Sequence, residues 1–153
     1  MPEIRPVTKD NWRSLANLQV SDSQKNFVMP NVYSIAQAQF GIDYQGHWDL
    51  QPFGIFEDGE PVGFLMFGYN FQNLVYQAFI IRLMVDERFQ SKGFGRFGLE
   101  KMLEIFRAEG RVKVVGISYE PENTVARKLY AGCGFVETGE MLGPEIMAFL
   151  NLR

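Results

Sequence analysis

The chain has 153 residues, 46% of them hydrophobic and 14% aromatic, so it can bury a core and is not a disordered chain. Its 15 lysines and arginines against 18 aspartates and glutamates give a net charge of −3, which argues against nucleic acid or an anionic membrane as a partner. There is no apolar run of membrane-spanning length, no signal-peptide pattern at Met1, and one cysteine, Cys133, so we expect a cytoplasmic protein without an intrachain disulfide.

The first half of the chain predicts both helices and a β-hairpin. The residues from Thr8 to Asn11 offer helix caps, and Asp58-Gly59 tolerates the positive φ angles of a hairpin turn. The predicted elements are a strand at 4–7, a helix around 12–18, two short helices at 21–27 and 32–40, and strands at 48–56 and 62–69.

The second half predicts alternating strands and helices. Leu99, Met102, Leu103 and Phe106 recur at helical spacing in a helix that stops at Gly110. The predicted elements are strands at 74–85, 112–119, 135–140 and 145–150 and helices at 93–109 and 123–131. With no linker or repeat in sight, we predict a single α/β domain over residues 1–153.

The most informative stretch joins a buried strand at 78–86 to the helix that begins at Gly93. Backbone N–H groups at a helix start have no partner within the helix, and the helix dipole favours negative charge there. A glycine at this point lets phosphate oxygens approach those N–H groups. The sequence therefore predicts a site for a phosphorylated cofactor.

Two interpretations compete for these residues. Residues 93–98 are a literal G-x-G-x-x-G, the dinucleotide fingerprint, and an acid, Glu120, follows at a suitable distance. Two features argue against the dinucleotide interpretation. Six loop residues separate the strand from Gly93, and too few residues follow Glu120 to form the remaining strands of a doubly wound sheet.

The other interpretation treats residues 90–95 as Gln-x-x-Gly-x-Gly, which resembles the pyrophosphate loop of the GNAT superfamily of N-acetyltransferases. Residues 123–135 resemble a second segment of that family, Asn-x-x-Ala-x-x-Leu-Tyr-x-x-x-Gly-Phe. The two segments are separated by one helix and one strand, as in the family, and the matched region runs from about 78 to 137. The stretch 20–28 is also similar to bacterial diamine and spermine acetyltransferases.

The resemblance implies a mostly antiparallel mixed sheet of about seven strands flanked by helices, and acetyl-CoA as cosubstrate. It also implies that the thioester lies between two splayed strands in mid-sheet. The residues it assigns to the cofactor are Leu83, Met84 and Val85 through their backbone, Gln90, Ser91, Lys92, Gly93, Phe94, Gly95 and Arg96 at the loop, and Asn123 and Lys128 on the later helix. Asn123 is equally suited to capping that helix.

The resemblance assigns the general acid to Tyr130, which would protonate the leaving thiolate. A phenol holds its proton at neutral pH, although most tyrosines on an apolar helix face are simply core residues. The resemblance places Ile81 where some family members carry the basic carboxylate, so either another acid serves through water or the amine loses its proton to solvent. Glu120 is the first substitute, although its position suits a solvated loop acid equally well. Asp22, Asp49 and Glu57 are candidates for holding a distal ammonium group, and no metal site is expected at the lone His47.

Three functions remain open at this point. An N-acetyltransferase acting on a small amine, with diamines and polyamines first, is the leading one. Acetylation of another amine or CoA binding without turnover is the second, and a dinucleotide enzyme is the third. The sequence leaves open whether the protein is a monomer or a homodimer.

Thermal melting separates the two cofactor interpretations. We expect CoA or acetyl-CoA to raise the melting temperature, because a ligand at about 100 times its dissociation constant adds about 2.7 kcal/mol of stability. NAD at the same concentration should leave the melting curve in place. A shift with NAD and none with CoA would favour the dinucleotide fingerprint.

Overall fold

The computed structural model describes residues 1–25, 27 and 29–152, and over these residues it contains eight strands and four helices. The strands are β1 (Pro2–Pro6), β2 (Ile42–Asp43), β3 (His47–Glu57), β4 (Glu60–Tyr69), β5 (Ala78–Val85), β6 (Val114–Tyr119), β7 (Val136–Leu142) and β8 (Glu145–Asn151). The helices are α1 (Trp12–Ala16), α2 (Asn31–Ala38), α3 (Phe94–Glu109) and α4 (Thr124–Gly132). None of these helices combines the length and apolarity that crossing a membrane would require.

All strands belong to one open mixed sheet. Its order is β1-β3-β4-β5-β6-β8-β7, with β2 paired to the end of β3, so both ends of the chain contribute to the same sheet. Among the described strands, β5 and β6 form the one parallel pair, and every other pairing is antiparallel. The predicted mostly antiparallel mixed sheet is confirmed. A doubly wound dinucleotide fold needs several parallel strands in succession, so the sheet excludes it.

Helices cover both faces of the sheet and bury a separate apolar cluster on each. On the first face, α3 and α4 pack over a cluster that includes Phe67, Leu99, Phe106 and Val115. On the second face, α1 and α2 cover a cluster that includes Leu15, Trp48, Leu50, Phe64 and Met66. Residues that alternate along a strand therefore point into different clusters. We call these the helix α3/α4 face and the helix α1/α2 face.

The close contact of α3 with the sheet depends on Gly98. A Cβ atom at this position would lie 2.8 Å from Ile55 Cδ1 and 3.1 Å from Leu83 Cδ1. Glycine therefore brings the start of α3 against the middle of the sheet, where β5 ends. The helix itself begins after Gly93 and ends at Gly110, both with positive φ, as the sequence predicted.

Two predicted elements are wrong in part. The helix predicted at 21–27 is a single 3-10 turn, Asp22–Gln24, with Asn26 and Val28 outside the described residues. The strand predicted from residue 74 begins only at Ala78. Asn73 Oδ1 accepts hydrogen bonds from the N–H groups of Val75 and Tyr76, and this local turn replaces strand pairing. The two-residue strand β2 is too short to have a periodicity that sequence could show.

Candidate active site

The middle of the sheet opens because β5 and β6 stay paired over only three residues. Ala78, Phe79 and Ile80 pair with Val115, Gly116 and Ile117, and no pairing of these strands continues in the described residues beyond that point. Strand β5 itself runs on to Val85 while paired with β4 on its other side. The edge of β5 beyond Ile80 that faces β6 is therefore available to a ligand. This is the splayed pair of strands that the family resemblance implies, with Leu83, Met84 and Val85 along one side.

A β-bulge at Ile81 marks the point where the strands part. Met66 pairs with Arg82 and Phe67 with Ile80, which leaves Ile81 as an extra residue in β5. The bulge shifts the alternation of side chains. Before the bulge Ala78 and Ile80 face the cluster on the helix α3/α4 face, and after it Leu83 and Val85 do, so the residues on that face change from even to odd positions.

The side chain of Arg82 fixes this bulge to helix α2. Its Nε donates to Ser34 Oγ at 3.0 Å, and one terminal nitrogen donates to the Ile81 carbonyl at 2.8 Å. Burial lowers the pKa of Arg82, and the negative charge of Glu145 acts in the opposite direction. Glu145 on β8 and Arg82 on β5 both line the opening.

A cavity of about 930 Å³ passes through the opening in the sheet. Leu83, Ala126 and Tyr130 line it on the helix α3/α4 face. Aromatic side chains of Trp48, Phe79 and Tyr76 line it on the other face, in edge-to-face contacts with ring centroids 5.9–6.2 Å apart. One cavity thus connects both faces of the sheet, which allows two reactants to meet from opposite sides.

The loop after β5 is held from inside by two side chains. Buried Asp86 accepts hydrogen bonds from the backbone N–H groups of Gln19 and Arg88 and from Arg88 Nε. Desolvation acts to raise the pKa of Asp86, but these hydrogen bonds outweigh it and the net pKa is lowered. The Gln90 side chain donates to the Val85 carbonyl at 3.0 Å and to Gln24 Oε1 at 2.8 Å. The side chain of Gln90 thus braces the loop from within, which leaves the backbone of the loop to contact a cofactor.

The start of α3 has the features of an anion site. Ser91 and Gly93 both adopt left-handed φ angles, 65° and 88°, a backbone pattern that forms anion-binding concavities. Within the described residues, no side chain caps this helix start. The Phe94 ring is buried in the core, so its side chain leaves the N–H groups accessible. The helix start lies against the end of β5, since a Cβ atom at Gly95 would be 3.8 Å from Val85, and this arrangement fits the pyrophosphate and pantetheine of a CoA thioester.

The other predicted cofactor residues lie around this helix start. Lys92 is exposed near the Phe89 ring, and Arg96 is exposed with a terminal nitrogen close to Gly132. Asn123 caps α4, because its Oδ1 accepts from the Ala126 N–H at 3.3 Å. Lys128 is exposed on α4. A direct contact of these side chains with the cofactor remains a prediction.

Tyr130 is a core ring at the cavity. The ring stacks on Tyr119 at 5.6 Å and meets Phe135 edge-on at 5.8 Å. Tyr130 lines the cavity, and no fully buried side-chain polar atom lacks a hydrogen-bond partner among the described residues. Burial raises the pKa of Tyr130 well above its ordinary value. The phenol therefore keeps its proton in the physiological pH range.

A polar brace fixes the strand and helix that carry this stack. Glu137 on β7 accepts from Arg127 through both carboxylate oxygens, at 2.7 and 2.9 Å, and from the Tyr119 hydroxyl at 2.9 Å. Burial, with the neighbouring Glu137, raises the pKa of Tyr119 to about 12. The brace ties β6, β7 and α4 together and thereby sets the position of Tyr130.

Three carboxylates line the cavity: Glu120 after β6, Glu140 on β7 and Glu145 on β8. Sequence reasoning found Glu120 and missed the other two. Glu140 and Glu145 belong to a C-terminal hairpin that carries no motif, and only the pairing of β8 with β6 brings them to the opening.

The weaker candidates for holding a distal ammonium group, Asp22, Asp49 and Glu57, have charged partners elsewhere in the structure. Asp22 forms an ion pair with Lys25 at 2.9 Å, Asp49 lies 3.5 Å from His47, and Glu57 binds the N-terminal ammonium at 2.8 Å. None of the three lines the cavity between the splayed strands. The sequence gives charge but cannot show which side of a loop or strand end turns towards the site.

Comparison with known proteins agrees with this geometry. Residues 12–135 match the family described as Acetyltransferase (GNAT) family. The spermine/spermidine N(1)-acetyltransferase of Bacillus subtilis (strain 168) is 28% identical over 142 residues, which are 90% of each chain.

Two solved structures share the fold. Spermidine N-acetyltransferase from Vibrio cholerae, in complex with CoA and spermine, has a TM-score of 0.74 at 16% identity and covers 98% of this chain and 95% of its own. PaiA N-acetyltransferase from Thermoplasma acidophilum, in complex with coenzyme A, has a TM-score of 0.73 at 15% identity and covers 99% of both chains.

The splayed strands, the helix start beside them and the family match lead to one assignment. This chain belongs to the GNAT family of acetyltransferases, and acetyl-CoA is its cosubstrate.

Proposed function

We propose that this chain transfers the acetyl group directly to a primary amine of a small diamine or polyamine, such as spermidine or spermine, in the cytoplasm. The observation that carries the choice of acceptor is the charge of the cavity wall, where Glu120, Glu140 and Glu145 converge from three elements. The Bacillus subtilis relative supports the same class of acceptor.

The cations of the same cavity offset only part of this negative charge, since its described lining has two, Lys25 and Arg82, against three carboxylates. Lys25 is paired with Asp22, and Arg82 is held by Ser34 and the Ile81 carbonyl at the bulge. The aromatic wall formed by Trp48, Tyr76 and Phe79 suits the methylene chain of a polyamine, and aromatic faces attract ammonium groups. An elongated, multiply charged amine fits this combination better than a compact or anionic one.

The chemistry of the transfer follows from groups on both sides of the opening. Acetyl-CoA supplies an activated acyl group whose carbonyl oxygen gains negative charge as the amine attacks. Backbone N–H groups along the free edge of β5 would stabilise that charge. The N–H groups at the start of α3 would hold the pyrophosphate, and Tyr130 would donate a proton to the departing sulfur. Much of the rate would come from holding the amine and the thioester together.

A thiol-release assay with an amine panel tests the acceptor. We expect spermidine or spermine to give at least a 10-fold higher kcat/KM than a monoamine of similar chain length, because one further charged hydrogen bond is worth about 1.5–3 kcal/mol. Equal values for both amines would contradict the polyamine assignment. If the protein binds CoA and no amine in the panel releases thiol, it is a CoA-binding protein without turnover.

Gly95→Val tests the helix start as the phosphate site. A Cβ atom at this position meets Leu129 and Val85 at 3.7 and 3.8 Å, an ordinary contact, so Gly95→Ala serves as the control for folding. The two further methyl groups of valine would crowd the N–H donors, and we expect CoA affinity to fall about 10- to 100-fold. Calorimetry and melting curves give affinity and stability separately. If a folded Gly95→Val variant binds CoA as tightly as the parent, this helix start does not bind the phosphates.

Tyr130→Phe tests the general acid. The change keeps the stacked ring and removes only the hydroxyl of a residue that lines the cavity, so the melting temperature should stay close to the parent. Loss of a positioned acid should lower kcat by about 10²- to 10⁴-fold and leave acetyl-CoA affinity unchanged. Phe135→Leu serves as a packing control, since it alters the same aromatic contact without touching the hydroxyl. A Tyr130→Phe enzyme with parental kcat in single-turnover measurements would make Tyr130 a core residue only.

A further inference from the structure

Ser118 occupies a distinctive place in the opening of the sheet. It follows Ile117 directly, and Ile117 is the last residue of β6 that pairs with β5. Ile117 and Tyr119 belong to the cluster on the helix α3/α4 face. Because side chains alternate along a strand, Ser118 faces the opposite side of the sheet, where the aromatic wall of the cavity lies.

Glu145 reaches the same point from the neighbouring strand. On β8, Ile146 and Ala148 belong to the cluster on the helix α3/α4 face, so Glu145 faces the helix α1/α2 side with Ser118. The Ser118 hydroxyl donates to Glu145 Oε1 at 2.7 Å, and both residues line the cavity. The carboxylate is thus held one residue beyond the last β5–β6 pair. The β6–β8 register brings the backbone of Glu145 level with Glu120, and the hydrogen bond to Ser118 turns the Glu145 side chain back towards the opening.

The placement of charge in the opening agrees with this position, since Arg82 of β5 and Glu145 of β8 both line the cavity. Arg82 follows directly after Ile81, which stands at the position where some family members carry a catalytic carboxylate. Glu145 is close enough to Arg82 to oppose the effect of burial on its pKa. A carboxylate from β8 therefore reaches the part of the site where β5 has none.

The ionisable groups around Glu145 come from several elements. Arg82 faces it from β5, Glu140 lies on β7, Glu120 follows β6, and Tyr76 and Lys25 lie in the loops on the helix α1/α2 side. Tyr119 and Tyr130 lie on the opposite face. Of the described carboxylates that line the cavity, Glu145 is the one whose side chain accepts a hydrogen bond from another side chain of the site.

We propose that Glu145 is the general base of the acetyl transfer and that Ser118 is the residue that positions it. This inference rests on the proposed amine acetylation and adds the group that removes the proton. Glu145 takes a proton from the bound ammonium, and the neutral nitrogen forms the N–C bond to the acyl carbon. The C–S bond breaks, Tyr130 gives its proton to sulfur, and the nitrogen's remaining excess proton passes to solvent. Exchange with solvent then reprotonates Tyr130 and removes the proton from Glu145. Glu120 and Glu140 then serve to bind the distal ammonium groups.

The pH dependence of Glu145→Gln tests the base. An alkylammonium group has a pKa of about 10.4, so only about one molecule in 2,500 is neutral at pH 7 without a base. We expect Glu145→Gln to lower kcat/KM at pH 7 by about 10²- to 10⁴-fold. Its rate should then keep rising with pH towards the pKa of the amine, where the parent has already levelled off. CoA should still raise its melting temperature as in the parent, which shows that the fold and the cofactor site are intact.

Chemical rescue separates a base from a structural carboxylate. Glu145→Ala leaves room in the cavity, and added formate should restore part of its activity, since formate can accept the same proton.

Two further variants test the neighbouring residues. Ser118→Ala should lower kcat about 3- to 10-fold, because one hydrogen bond to Glu145 is lost, and it should shift the acid side of the pH profile. Glu120→Gln should raise KM for a polyamine and keep the parental pH profile. Glu104→Gln, exposed on α3 away from the cavity, is the control for removal of a carboxylate.

All of these variants are assayed with the amine for which the parent enzyme has the highest kcat/KM. If that amine is not a polyamine, the proposed acceptor fails while the assignment of the base is still tested. A parental pH profile in Glu145→Gln, or a lack of formate rescue in Glu145→Ala, would overturn the proposal. If the pH profile of kcat/KM loses its acid limb in Glu120→Gln instead, the general base is Glu120, as the sequence suggested.

Discussion

The site depends on the early end of the hydrogen bonding between β5 and β6. Backbone N–H and C=O groups in the middle of a sheet are costly to leave without partners, so a gap there persists only if a ligand or water satisfies them. The bulge at Ile81 and the anchoring of Arg82 to Ser34 hold β5 away from β6 past Ile80. The parting of the strands therefore provides both the donors and the cavity for the thioester.

The loop that follows β5 shows how side chains can free a backbone for binding. Asp86 and Gln90 use their polar atoms inside the protein, on Gln19, Arg88, Val85 and Gln24. With the loop fixed from within, the N–H groups at the start of α3 stay oriented towards the end of β5. A preorganised set of donors binds an anion without the cost of ordering the loop first.

The two faces of the sheet divide the chemistry between them. Tyr130 approaches the opening from the helix α3/α4 face, within the stack on Tyr119 that Glu137 and Arg127 brace. Acidic side chains approach from the other face, carried by β8, β7 and the end of β6. In the mechanism we propose, this separation places the phenol that protonates the sulfur and the carboxylate that takes the proton of the amine on opposite sides of the sheet.

The sequence by itself determined the parts of the protein that are local. The loop at 90–95 with its left-handed residues, the helix that starts after Gly93 and ends at Gly110, the Asn123 cap and the tyrosine on the buried face of α4 all depend on residues within a few positions of each other. Spacing and residue type are sufficient for such features. The family, the mixed sheet and the cosubstrate followed from these local motifs.

Only the tertiary structure decided which distant residues meet at the opening. Asp22, Asp49 and Glu57 are acidic in sequence but are engaged elsewhere, while Glu140 and Glu145 come from a hairpin without any motif. The bulge at Ile81 depends on register with β4, and the contact between Ser118 and Glu145 depends on the pairing of β6 with β8. Strand register over long separations is set by the packing of the whole sheet, and a pattern read along one strand does not contain it.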